Sequence, residues 1–90
     1  MALFELGRVV VTRMALEFCD EHSISIDTML ARHQRGDWGD YMDAVDRRAN
    51  DDAVKYDDRV ISSYVFDQGR VWIITEADRS STCILLPEDY

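Results

Sequence analysis

Aspartate side chains between residues 37 and 58 are the groups whose number and spacing in this sequence could do chemistry. Eight aspartates in this stretch stand against Arg47, Arg48 and Lys55. Carboxylates three residues apart on a helix form a regular negative array, similar to the phosphates of a nucleic-acid strand, and would fit a basic groove on a protein. A solvated helix face is the alternative interpretation. The carboxylates expected to contact such a partner are Asp37, Asp40, Asp43, Asp46, Asp51 and Asp57.

Trp38 lies in the same acidic stretch, between Gly36 and Gly39. Glycine lets the backbone turn sharply, so the indole either fills the core or stands out of the surface as an anchor for the partner. Both interpretations are open at the level of sequence. Trp38 is therefore included among the residues expected to bind the partner.

Histidine, serine and cysteine side chains show no catalytic or metal-binding spacing. His22 and His33 do not follow a zinc pattern such as His-Glu-x-x-His, and we expect them at the surface or at helix ends. No serine stands in a Gly-x-Ser-x-Gly context. Cys19 and Cys83 lie among apolar residues, which favours buried free thiols over a disulfide. The sequence thus predicts a protein that is not an enzyme, without catalytic residues, metal site or cofactor.

A polar stretch from Glu76 to Ser80 indicates a turn between two apolar runs. Its carboxylates, on Glu76 and Asp78, are expected to form a fixed pair with the guanidinium of Arg79 and so set the geometry of a hairpin.

The acidic stretch must be positioned by helices that precede and include it. Three valines at 9–11 favour a short first strand, residues 14–22 have helical spacing, and Ser25 is a credible N-cap for a second helix that ends at Gly36 and Gly39. A third helix is predicted from Asp40 to about Asp58, with a break or kink around Asn50 to Asp52. Projection at 100° per residue assigns to its core-facing side Tyr41, Met42, Val45, Ala49, Ala53 and Tyr56.

The remainder of the chain is rich in strands. Runs at Val60 to Phe66, Val71 to Thr75 and Thr82 to Leu86 predict an antiparallel meander, whose first hairpin has a loop of three residues, Asp67-Gln68-Gly69. The predicted fold is α+β: an antiparallel sheet of three to four strands with two or three helices packed on one face. Residues 1–90 are expected to form a single domain. The second sheet face should meet the first strand, the N-terminal helices or a second subunit.

Charge is the strongest compositional feature, with ten Lys and Arg against eighteen Asp and Glu and a net charge of -8. Such a chain repels free DNA or RNA and attracts basic partners, although acidity also serves solubility. The N-terminal residues do not show a basic region followed by an apolar one, and no apolar run approaches the length of a membrane span, so we expect neither a signal peptide nor a transmembrane segment. We expect a cytoplasmic protein that contacts neither nucleic acid nor membrane directly.

Four segments together resemble a family of small bacterial proteins: residues 35–40 (RGDWGD), 48–51 (RAND), 72–80 (WIITEADRS) and 86–90 (LPEDY). Members of this family are carried by plasmids, phages and integrative elements, and they are commonly labelled plasmid-related protein or type I restriction endonuclease subunit M. The resemblance implies a mobile-element context and brings no catalytic residues with it.

Charge and resemblance together predict an anti-CRISPR-like function. The chain would be an acidic inhibitor, acting as a nucleic-acid mimic, that covers the basic surface of a host complex that handles nucleic acid in defence. The alternative is a non-catalytic accessory or regulatory protein of the mobile element, which acts through dimerisation or another protein contact. Ionic strength separates the two, because charge complementarity weakens with salt and apolar docking does not.

Overall fold

Helices and strands occupy most of residues 2–39 and 42–90, the part of the chain that the computed structural model describes. Asp40 and Tyr41, named above, lie outside it. The elements are β1 (Arg8–Val11), α1 (Arg13–Glu21), α2 (Ile26–Gln34), α3 (Ala44–Tyr56), β2 (Val60–Phe66), β3 (Gly69–Thr75), β4 (Ser81–Leu85) and a 3-10 helix (Pro87–Asp89). The predicted α+β class is confirmed. No helix in these ranges is both long enough and apolar enough to cross a membrane.

One four-stranded sheet is formed, in the order β1-β4-β3-β2. Strands β2, β3 and β4 make the predicted antiparallel meander. The sheet is mixed, because β1 joins β4 in parallel and extends the sheet at its edge instead of covering its second face. Phe66 pairs with Gly69, so the first hairpin loop is two residues long and not three as predicted. Gly69 belongs to β3.

Helices α1 and α2 pack on one face of the sheet. Strand alternation turns every second side chain toward this face, and two helix caps set the helices in place. Thr12 Oγ1 accepts a hydrogen bond from the Ala15 N–H (3.1 Å), and Ser25 Oγ accepts one from the Thr28 N–H (3.1 Å), as predicted for Ser25. The buried residues of this core are Ala15, Cys19, Met29, Tyr64, Val71, Ile73, Ile84 and Leu86.

His33 links α2 to the sheet through a buried chain of hydrogen bonds. Its Nδ1 lies 2.6 Å from Ser62 Oγ and its Nε2 2.8 Å from Thr75 Oγ1. Thr75 Oγ1 lies 2.7 Å from Thr82 Oγ1, and Thr82 Oγ1 donates to the carbonyl oxygen of Leu6 (2.8 Å).

The direction of this chain follows from its last acceptor. Since a carbonyl cannot donate, Thr82 donates to Leu6, Thr75 donates to Thr82, and His33 must carry its proton on Nε2 and accept from Ser62 at Nδ1. His33 lies in the last turn of α2, as the expectation of a helix-end position allows, but it has no exposed surface. His22 caps the end of α1 and is half-buried, as expected of a helix-end residue.

Helix α3 lies along the outer edge of β2, in an orientation different from the predicted one. Asn50 and Ala53 are its buried residues, whereas Val45 and Tyr56, assigned above to the core, are 76% and 65% exposed. The break predicted as one possibility around Asn50 to Asp52 is not found, because the helix is continuous from Ala44 to Tyr56.

Asn50 explains the orientation of α3. Its Nδ2 donates to the carbonyl oxygen of Ile61 (2.6 Å) and its Oδ1 accepts from the Ile61 N–H (3.0 Å). The side-chain amide thus replaces one residue of a neighbouring strand at an edge that would otherwise leave both backbone groups unpaired. One polar residue, and not the apolar periodicity, decides which side of α3 faces inward.

Replacing Asn50 by alanine is expected to lower the free energy of unfolding by about 2 kcal/mol, because both Ile61 backbone groups lose their partner in a buried position. Urea unfolding followed by circular dichroism measures this. Asp52→Ala, on the exposed side of the same helix, is the matched control and should change stability by less than about 0.5 kcal/mol. Equal losses in the two variants would contradict the role given to the amide.

The second face of the sheet is partly covered by the C-terminal segment. Asp89 Oδ2 accepts from Thr12 Oγ1 (2.7 Å) and from the Leu86 N–H (3.0 Å), which ties the 3-10 helix to the start of α1. The ring of Tyr90 meets that of Trp72 edge to face, with centroids 5.7 Å apart. This segment, and not the first strand or the N-terminal helices, therefore covers part of the face.

Candidate partner-binding surface

The N-terminus of α3 is built by aspartate and arginine side chains. Asp43 is the N-cap, and its Oδ1 accepts from the Asp46 N–H (2.9 Å). Negative charge at this end of a helix is stabilised by the helix dipole. Arg47 reaches back and donates to the carbonyl oxygens of Gly39 (2.7 Å) and Met42 (2.9 Å). Arg47 thereby holds Gly39 and Met42 in place, and the carboxylates of Asp43 and Asp46 remain exposed.

The C-terminus of α3 is held by Arg79. This guanidinium donates to the carbonyl oxygens of Ala53 (2.9 Å) and Asp58, and to two carbonyls of its own turn. The predicted pair between Arg79 and the carboxylates of the turn is wrong, because the last carbonyls of a helix attract a cation and need donors. Glu76 Oε2 instead lies 3.6 Å from Arg59 Nε, and Asp78 Oδ1 accepts a hydrogen bond from the Ser80 N–H.

Asp37 is engaged inside the molecule. Arg32 donates to both of its carboxylate oxygens, at 2.6 and 3.2 Å. This hydrogen bonding from Arg32, against an opposing effect of burial, holds the pKa of Asp37 below its usual range. Because Arg32 already neutralises its charge, the Asp37 carboxylate is less available to a binding partner than the other aspartates are.

Trp38 belongs to the core and not to the surface. It is 2% exposed and packs with Ala53 and Val60, so the anchor interpretation is wrong and the core interpretation is confirmed. Its Nε1 donates to Asp51 Oδ1 (3.0 Å). This bond fixes the Asp51 carboxylate, although Asp51 itself remains exposed.

Six aspartates with exposed side chains lie on or next to α3. Asp57, one of them, is its C-cap in the left-handed conformation at φ 56°. Within residues 2–39 and 42–90, none of the six forms an ion pair. Their negative charge is therefore directed to solvent from a helix held at both ends. The six are Asp43, Asp46, Asp51, Asp52, Asp57 and Asp58.

An apolar stripe accompanies these charges on α3. Val45, Ala49 and Tyr56 are all exposed and fall on one side of the helix by their spacing. Sequence reasoning detected the stripe but assigned it to the core. It missed Asp52 as a member of the exposed acidic group, because the projection placed Asp52 on the apolar side that was assigned to the core.

Other reactive groups are not assembled into a site. No group of three His, Cys, Asp or Glu that could hold a metal ion occurs in the described ranges. Cys19 is buried, Cys83 is half-buried, and both are free, in agreement with the predicted thiols. Burial raises the pKa of both thiols, with a smaller contribution from Asp89 and Glu76 at Cys83. A raised pKa reduces the thiolate that nucleophilic chemistry requires.

Comparison of the chain with protein-family models, with curated proteins and with solved structures gave no match.

Proposed function

We propose that this chain is a non-catalytic protein of a mobile element that inhibits a host nucleic-acid-handling defence complex, such as a CRISPR surveillance complex, by covering its basic surface with α3. The observation that carries the proposal is the group of six exposed aspartates that form no ion pair within the described residues, on or next to a helix held by Arg47 at one end and Arg79 at the other. An ordered array binds a basic surface at a smaller entropic cost than a mobile acidic segment.

Charge spacing limits how closely α3 imitates nucleic acid. At about 1.5 Å per residue, positions 43 to 58 span roughly 24 Å, so six carboxylates give one charge per ~4 Å, close to the ~3.4 Å of a DNA strand. Arg47, Arg48 and Lys55 are also exposed and reduce the net density of negative charge. The proposed contact is therefore charge complementarity with one basic surface, and not replacement of a long duplex.

The second candidate function is an accessory or regulatory protein that acts through apolar contacts. It is favoured by the exposed stripe of Val45, Ala49 and Tyr56, which a dimer or a helical partner would cover. Binding of this kind would be nearly insensitive to ionic strength, whereas the proposed inhibition would weaken steeply with salt.

Neutralising three aspartates of α3 is expected to weaken inhibition about 10-fold to 100-fold, at roughly 0.5 to 1 kcal/mol for each exposed charge. The variant is Asp43→Asn, Asp46→Asn and Asp57→Asn, because asparagine preserves the N-cap and tolerates the left-handed conformation. The measurement is target-DNA binding by a purified surveillance complex in a gel-shift titration with this protein.

The matched control carries the same change in net charge elsewhere, as Asp20→Asn, Asp27→Asn and Asp67→Asn, three exposed aspartates outside α3. It should inhibit like the wild type. Equal weakening by both triple variants would mean that net charge and not α3 matters. Normal DNA binding at saturating wild-type protein would exclude direct occlusion.

A further inference from the structure

A groove of about 380 Å³ lies on the second face of the sheet, beside α3. Its floor comes from neighbouring strands: Ile61 of β2 is opposite Ile74 of β3, and Trp72 is two residues before Ile74. Ile74 is 3% exposed, whereas Ile61 and Trp72 are half-buried and remain open to solvent. The groove therefore offers an apolar floor to another molecule.

The groove is continuous with the acidic surface of α3. Met42 and Asp46 line it, and the same two residues with Ala49 line the adjoining depression at the edge of β2. Ala49 is a member of the exposed stripe described above. The apolar floor and the unpaired carboxylates thus belong to one surface, with Asp46 at their boundary.

Charge is distributed unevenly along the groove. Asp46 contributes an unpaired carboxylate, and Arg70 contributes an exposed guanidinium that makes no ion pair or hydrogen bond within the described ranges. A cation on a bound molecule is attracted to Asp46 and repelled by Arg70. The electrostatics therefore orient a ligand that carries a positive group beside an apolar one.

We propose that this groove receives an apolar side chain that the basic partner presents next to a lysine or arginine, with the cation at Asp46 and the apolar group on Ile61 and Trp72. The inference rests on the proposed function and adds the anchor that gives it specificity. Exposed charges mainly accelerate association, whereas most binding energy at protein interfaces comes from a few apolar or aromatic groups that fill pockets.

Two other occupants fit the charges less well. Nucleic acid would place its negatively charged phosphates beside the six exposed aspartates, and these like charges would repel each other. A second copy of the chain would bring another net charge of -8 and, for a contact centred on this groove, would place the two α3 helices near each other with like charge.

The test uses two synthetic peptides, Lys-Arg-Lys-Trp-Lys-Arg-Lys and the same peptide with serine in place of tryptophan. Nuclear magnetic resonance titration of the isotope-labelled full chain measures affinity and locates the contact. The tryptophan peptide is expected to bind about tenfold more tightly and to shift the signals of Ile61, Trp72 and Ile74. The serine peptide should bind weakly at low ionic strength and shift α3 alone.

Two variants test the groove directly. Ser63→Phe places a large ring in the groove, whose wall Ser63 helps to form, and Ile61→Ser removes part of the floor while leaving the backbone bonds to Asn50. Either variant should reduce the affinity for the tryptophan peptide to that of the serine peptide. The control is Val65→Phe, an exposed residue two positions further on the same face of β2 that does not line the groove.

Each outcome decides between the two proposals. If the serine peptide binds and tryptophan adds nothing, or if Ser63→Phe behaves like Val65→Phe, the groove is not the anchor site while charge recognition stands. If neither peptide binds at low ionic strength, charge recognition itself fails. Groove signals that shift on dilution without peptide would instead identify a second copy as the occupant and overturn the inference.

Discussion

Lowering the pH from 7 to 4 is expected to reduce the free energy of unfolding by about 3 kcal/mol through His33 alone. Burial, assisted by the positive charge of Arg79, lowers the pKa of His33 to about 3 in the folded protein, whereas an unfolded histidine titrates near ~6.5. The unfolded chain therefore binds a proton in this interval and the folded chain does not. The contribution is fully present above about pH 6.5 and is lost as the pH falls toward 3.

The measurement is a series of urea unfolding curves between pH 7 and pH 4 for the wild type and for His33→Gln, a neutral side chain that keeps a donor and an acceptor. The carboxylates titrate in both proteins and cancel in the difference. The stability advantage of the wild type should shrink by about 3 kcal/mol on acidification.

A direct readout does not depend on the variant folding. The ring-proton signals of His33 in the native wild type should stay unchanged down to about pH 4. Titration of this ring near neutral pH would mean that the hydrogen bonds from Ser62 through Thr75 to Thr82 are open to water. It would contradict the expected loss of stability between pH 7 and pH 4.

Replacing Gly39 by alanine is expected to cost about 3 kcal/mol or more, with the folded population strongly reduced. Gly39 has φ 114°, and a Cβ there would lie 1.8 Å from the backbone oxygen of Ser63. The Gly39 segment runs along the edge of β2, where the Ser63 N–H donates to the carbonyl oxygen of Trp38 (2.9 Å). The clash therefore pushes the loop off the sheet edge.

Gly36→Ala is the matched control for this substitution. Gly36 also has a positive φ, at 87°, but its nearest neighbour would be the side-chain end of Leu3 at 3.1 Å, which can move. Thermal unfolding should show a loss of about 1 kcal/mol for Gly36→Ala, from backbone strain without the clash. Similar losses at both glycines would show that Gly39 does not approach β2 this closely.

Local patterns were sufficient to predict most elements of this fold. Helix α2 begins after Ser25, as its capping chemistry predicted, and β2 has the predicted bounds of Val60 and Phe66. Strands β1 and β4 were both predicted, but their parallel pairing was not, because pairing between strands so distant in the chain leaves no local signal. The hairpin loop was misjudged by one residue because Gly69 resembles a turn residue.

The candidate surface was predicted in composition but not in orientation. Asp43, Asp46, Asp51 and Asp57 are exposed as expected, whereas Asp37 is paired with Arg32 and Trp38 is buried. Periodicity placed Val45 and Tyr56 in the core, since a hydrophobic stripe normally faces inward. The periodicity of apolar residues contains no information about hydrogen bonds. The edge of β2 needs a donor and an acceptor together, and Asn50 provides both, whereas an apolar residue provides neither.

The sequence by itself determined the acidity of the chain, its strands and helices, and the stretch that holds the unpaired carboxylates, because these depend on side-chain type and on neighbours a few residues away. Only the tertiary structure decided that α3 lies on the edge of β2 with its apolar stripe outward, that His33 lies in a buried hydrogen-bond chain, and that Ile61, Trp72 and Asp46 share one groove. The reason is that buried backbone groups must find partners, and those partners come from distant parts of the chain.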